Sequence, residues 1–137
     1  ELMAGMPLIT ENLVGKLSLI EVANLLKSAQ LYVGTDTAVT HLSAMLGVPT
    51  VAMFGPSNPV KWGPWPYHYA NGWNRSSPWK LVGSGKVANV YLLQGVRPCV
   101  PCMMEGCDRH KESKSLCLEF LPSRRVYDAS QQMLDKP

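Results

Sequence analysis

The chain has 137 residues, 46% of them hydrophobic and 17% charged, with a formal net charge of +3. That suits one compact domain around a single core and excludes general disorder, a coiled coil or two comfortable domains. The mild positive excess, gathered mainly at Arg109, His110, Lys111, Lys114, Arg124 and Arg125, is a weak footprint for nucleic acid and is compatible with an anionic ligand or a membrane surface.

The sequence opens at Glu1 and reads as a piece of a longer chain. No apolar run approaches the roughly 20 residues that span a bilayer, and no charged-then-apolar segment precedes the first elements, so a cytoplasmic protein is expected. Pro7 to Leu13 is short and apolar-rich, and predicts a strand leading to Gly15. From Ser18 the spacing becomes helical: Leu19, Val22, Ala23, Leu25, Leu26 and Ala29 recur on one face, and Ser18 with Glu21 forms a capping-box pair. The prediction is a helix over Leu19–Ser28.

Leu31–Gly34 then reads as a buried strand, and a helix follows from Ala38 to Leu46, with Gly47 placed to close it in a left-handed conformation. Pro49–Phe54 is a second buried strand stopped by Gly55-Pro56. Helix, strand, helix, strand is the signature of a parallel sheet covered by helices, so the fold class is α/β. Gly55 to Gly85 is proline-rich, irregular, and holds all four tryptophans; a long aperiodic segment of this kind is a candidate ligand-facing loop. Val87–Leu93 is the last predicted strand and Ser123–Leu134 the last helix, with Pro122 just ahead of it.

Chemistry concentrates in Gly34-Thr35-Asp36-Thr37-Ala38-Val39-Thr40-His41. A strand that passes at once into a helix puts free backbone N–H groups and the positive end of a helix dipole at the carboxyl edge of the sheet, where a phosphate can bind. Thr37 and His41 are four apart and share a helix face; Asp36 sits at its mouth, able to cap the helix or accept sugar hydroxyls. The plain alternative is an N-cap, a first-turn threonine and a histidine satisfied by a neighbouring carbonyl.

A longer ordered series carries a resemblance. Asp36-Thr37-Ala38-Val39-Thr40-His41-Leu42, then Leu46-Gly47-Val48-Pro49-Thr50-Val51-Ala52-Met53-Phe54-Gly55-Pro56-Ser57-Asn58-Pro59, then Trp62-Gly63-Pro64, resembles glycosyltransferase family nine, the ADP-heptose:lipopolysaccharide heptosyltransferases. It extends upstream through Gly15-Lys16-Leu17-Ser18-Leu19 and downstream into the cysteine cluster; Ala38 departs from the glycine of many members.

The resemblance implies a GT-B architecture of two Rossmann-like domains. Residues 1–137 would be the carboxyl-terminal, donor-binding domain, with a cysteine-rich segment at 99–117, and the acceptor-binding amino-terminal domain would lie outside the chain. It implies that Asp36 contacts the donor sugar, that Thr37, the Ala38 backbone and His41 hold the diphosphate, and that Leu17 lies where the nucleotide base packs. The implied reaction is inverting transfer of heptose, or a related sugar, from ADP-heptose or another nucleotide-diphosphate sugar to a lipid-linked core oligosaccharide. No metal is required, and the general base comes from the other domain. Such an enzyme works in the cytoplasm, at the inner face of the bacterial inner membrane. This chain alone would bind ADP weakly and transfer nothing.

Cys99-x2-Cys102-x4-Cys107-x9-Cys117 holds every cysteine of the chain. In a reducing compartment four clustered thiols suggest a structural zinc site, with His110 as a spare ligand, although the spacing lacks the paired motifs of zinc ribbons; free or oxidised thiols are the alternative. Two other function classes compete with the enzyme: a non-catalytic nucleotide or nucleotide-sugar binding module with a structural metal, and a cysteine-rich module on nucleic acid. The absence of interleaved basic and aromatic residues speaks against the last.

Overall fold

A computed structural model describes residues 10–69, 76–110 and 112–135. The elements in chain order are α1 (Leu19–Ser28), β1 (Tyr32–Thr35), α2 (Ala38–Met45), β2 (Thr50–Phe54), α3 (Pro59–Trp62), β3 (Gly85–Val87), β4 (Val90–Gln94), α4 (Leu116–Glu119) and α5 (Ser123–Leu134). The strands form one sheet in the order β1-β2-β4-β3; β1, β2 and β4 run parallel and β3 pairs antiparallel with β4. Register is set by Tyr32 opposite Thr50 and by Thr50 opposite Val90.

Strand β2 is buried on both faces, as a central parallel strand must be. Its alternate residues feed two separate cores. Ala52 and Phe54 pack with Ala44 of α2, Trp79, Val90 and Leu92, while Val51 packs with Leu93 and with Ala129 and Met133 of α5. Helices therefore cover both faces of a mainly parallel sheet, the layering of a Rossmann-like α/β domain. No helix among the described residues is long and apolar enough to cross a membrane.

Local chemistry explains the element ends. Helix α1 starts on the anticipated capping box: Ser18 Oγ accepts from the Glu21 backbone N–H, and Glu21 Oε2 accepts from the Ser18 backbone N–H at 2.7 Å. Gly47, at φ 79°, ends α2 in the left-handed region, with the Val48 N–H reaching back to the Ser43 carbonyl. Among the polar groups drawn inside, Ser43 Oγ and Thr50 Oγ1 lie 2.8 Å apart, joining α2 to β2.

Three sequence expectations are corrected. Residues 10–13 form no strand, and the rest of the strand predicted over Pro7–Leu13 lies outside the described residues. The predicted strand Val87–Leu93 is instead a hairpin of β3 and β4, turned through Ala88 at φ 47°. The irregular stretch from Gly55 to Gly85 contains the short helix α3, and Trp79 is buried with its indole N–H donating to the Pro64 carbonyl at 3.0 Å. That tryptophan pins the loop to the core. Trp73 lies outside the described residues.

Candidate functional site

The parallel strands β1 and β2 end side by side, and the chain leaves them at Asp36 and at Gly55-Pro56-Ser57-Asn58. Here, at the carboxyl edge of the sheet, lies a cavity of about 440 Å³. Asp36, Pro56, Ser57 and Asn58 line one part of it. Lys61 and Trp62 of α3, together with Met103, Met104 and Glu105 from the cysteine segment, complete the wall. The distant segment is held there by backbone pairing: the Met103 N–H donates to the Pro56 carbonyl at 2.8 Å.

Asp36 is half-buried, and its Oδ1 lies 3.5 Å from His41 Nε2. The two residues flank the first turn of α2, so the histidine orients the carboxylate when protonated or when Nε2 carries its proton. Asp36 does not cap α2. Nor does Thr37, the N-cap residue, whose side chain makes no cap hydrogen bond; its hydroxyl lies 3.2 Å from that of Thr40. The Thr40 hydroxyl gives its proton to the Thr35 carbonyl, so the Tyr32 and Thr37 hydroxyls donate to it. The Thr40 N–H donates to the Thr37 carbonyl at 3.1 Å, whereas the Ala38 and Val39 N–H groups have no side-chain acceptor from the cap and remain available to an anion.

Gly34 serves the packing of its neighbour Tyr32. It sits within β1 opposite Ala52, and a Cβ there would lie 2.6 Å from the Tyr32 ring. The glycine makes room for the tyrosine whose hydroxyl orders Thr40.

Of the five residues expected at the donor, Asp36 lines the cavity and His41 touches Asp36. Thr37 and Ala38 are exposed at the start of α2, beside Asp36 but outside the lining. Leu17 is half-buried just after the Val14–Lys16 turn and does not line the cavity. Pro56–Asn58, in the stretch read from the sequence as a candidate ligand-facing loop, lines the same cavity as Asp36. Lys61, Trp62 and Met103–Glu105 were missed; for Lys61 and Trp62 the available signal was Asn58-Pro59, an N-cap residue followed by proline at the first helical position.

A second cavity, of about 170 Å³, is lined by Cys99, Cys102, Cys107 and Cys117 together with Pro56 and Arg97. All four cysteines are free thiols, and among the described residues no group of three His, Cys, Asp or Glu side chains is placed to hold a metal ion. The tetrathiolate zinc site expected from the cysteine count, with His110 in reserve, is not assembled in this arrangement. Burial, then the neighbouring Cys102 and Cys107, pushes the Cys117 thiol above its ordinary pKa. Three members of the basic cluster are engaged locally: Arg124 pairs with Asp128 at 2.8 Å, Lys114 meets Glu119, and Arg125 bonds the Gln94 carbonyl and Ser84.

A mainly parallel sheet flanked by helices, with a cavity at its carboxyl edge, defines a Rossmann-like α/β domain. The family model for glycosyltransferase family 9 (heptosyltransferase) matches residues 1–90, and the chain belongs to that family. It is 31% identical over 133 residues to lipopolysaccharide heptosyltransferase 1 of Pseudomonas aeruginosa, covering 89% of this chain and 32% of that protein. Similarity to lipooligosaccharide heptosyltransferase 2 of Campylobacter jejuni is 25% over 126 residues, 90% of this chain and 32% of that protein. Lipopolysaccharide heptosyltransferase 3 of Escherichia coli is 33% identical over 61 residues, 44% of this chain and 18% of that protein. The chain thus spans about a third of the length of the first of these relatives. No solved structure matches it.

Proposed function

We propose that this chain is the donor-binding part of a GT-B heptosyltransferase, holding ADP-heptose or a related nucleotide-diphosphate sugar while the sugar passes with inversion to the lipopolysaccharide core. The observation that carries the reading is the cavity of about 440 Å³ in which Asp36 stands beside the uncapped start of α2. A diphosphate at that helix start meets N–H donors and the positive end of the dipole. Asp36, oriented by His41, accepts hydroxyl protons from the donor sugar, and Thr37 and the Ala38 backbone border the diphosphate. Leu17 falls outside the cavity lining and would reach the base only at the far end of an extended ligand.

Transfer from such a donor builds positive charge on the anomeric carbon and negative charge on the departing diphosphate. Preorganised dipoles and cations lower the second cost without a metal. The acceptor hydroxyl needs a general base, which this reading assigns to the acceptor-binding domain of the longer protein, working at the inner face of the membrane. A zinc ion at Cys99, Cys102, Cys107 and Cys117 would require their loop to contract, and transfer does not draw on it.

The test is turnover in the intact protein. Asp36→Ala and His41→Ala should each lower kcat/KM by about tenfold to a thousandfold, with Tm nearly unchanged because both side chains are partly exposed. Turnover within twofold of wild type for both variants would remove the site assignment.

A further inference from the structure

Among the described residues Lys61 is the only cationic side chain lining the cavity that holds Asp36, and two carboxylates, Asp36 and Glu105, line the same space. An anion entering there needs a compensating charge. The start of α3 cannot supply it through its backbone: Pro59 has no N–H, Asn58 Oδ1 accepts from the Val60 and Lys61 N–H groups at 2.9 and 3.3 Å, and the Trp62 N–H bonds the Asn58 carbonyl. What α3 offers a ligand is the Lys61 ammonium. That group lies 5.1 Å from the centroid of the Trp62 ring, and among the described residues no carboxylate forms an ion pair with it. Arg124 and Arg125, by contrast, are held by Asp128 and by Gln94 and Ser84.

We propose that Lys61 is the cation that binds the diphosphate of the donor and neutralises it as it leaves, on the cavity wall shared with Asp36; this rests on the donor-site reading above. A lysine is a compact charge with three donors on a flexible stem, suited to follow a diphosphate whose charge grows during bond breaking. The competing role is a solvated lysine whose stem merely covers Trp62.

Binding of ADP and of adenosine to the intact protein, measured by calorimetry, separates these. Wild type should hold ADP more tightly than adenosine. Lys61→Met keeps the stem over Trp62 and removes the charge; it should weaken ADP about tenfold and leave adenosine and Tm unchanged, while Lys61→Arg keeps most of the ADP affinity. Unchanged ADP affinity in Lys61→Met, or an equal loss for both ligands, overturns the role of Lys61 and leaves the cavity as the donor site. A wild-type protein that binds neither ligand overturns the donor-site reading and this inference with it.

Discussion

Cys117 shows how one residue joins the core to the site. It is buried under Gly55, where an added Cβ would come within 2.9 Å of its Sγ, and so lies directly behind the turn that leads into the cavity lined by Asp36. Burial favours the neutral thiol, and thiolates at Cys102 and Cys107 would raise its pKa further. A raised thiol pKa means low thiolate at neutral pH and slow alkylation. Cys99 and Cys107 are exposed and should react with iodoacetamide first, Cys117 last and faster as pH rises. Mass spectrometry of the labelled, reduced protein checks that order. Equal protection of all four, released by a chelator, would instead show a metal cluster and a contracted loop.

At the scale of elements, the ends of α1 are written in local chemistry. Ser18→Ala removes the cap and should destabilise the protein by about 1 kcal/mol in denaturant melts. The hydrogen bonds from Ser18 hold the Glu21 carboxyl below its usual range. A depressed folded-state pKa means that the contribution is present above the unfolded value and is lost as pH falls through the folded one, so the difference between wild type and Ser18→Ala should shrink in acid. Such signals made Leu19–Ser28 and Ser123–Leu134 legible in the sequence to the residue. The β3–β4 hairpin was not legible, because three residues carry no alternation and its turn uses Ala88 where a glycine would have announced it. Helix α3 had a readable start in Asn58-Pro59, hidden inside a segment whose prolines and tryptophans spoke for irregular structure. Met103–Glu105 could not have been placed at all: a backbone bond to Pro56, far away in the chain, brings them to the cavity.

In the molecule as a whole, the sheet does the positioning. Two cores on opposite faces of β2 fix where the strands end, and those ends put Asp36 and the Pro56–Asn58 turn against each other. The family pattern implied a ligand at Asp36 and the start of α2; the cavity that Asp36 lines opens between the β1 and β2 exits and is walled by α3 and the cysteine segment. On the proposed function, a nucleotide diphosphate would lie between the start of α2 and α3. Titration of isotope-labelled protein with ADP, followed by NMR, tests it most directly. A diphosphate held there should shift resonances at Thr35 to His41 and at Ser57 to Trp62; binding that moves other resonances and leaves both segments still would rule the placement out.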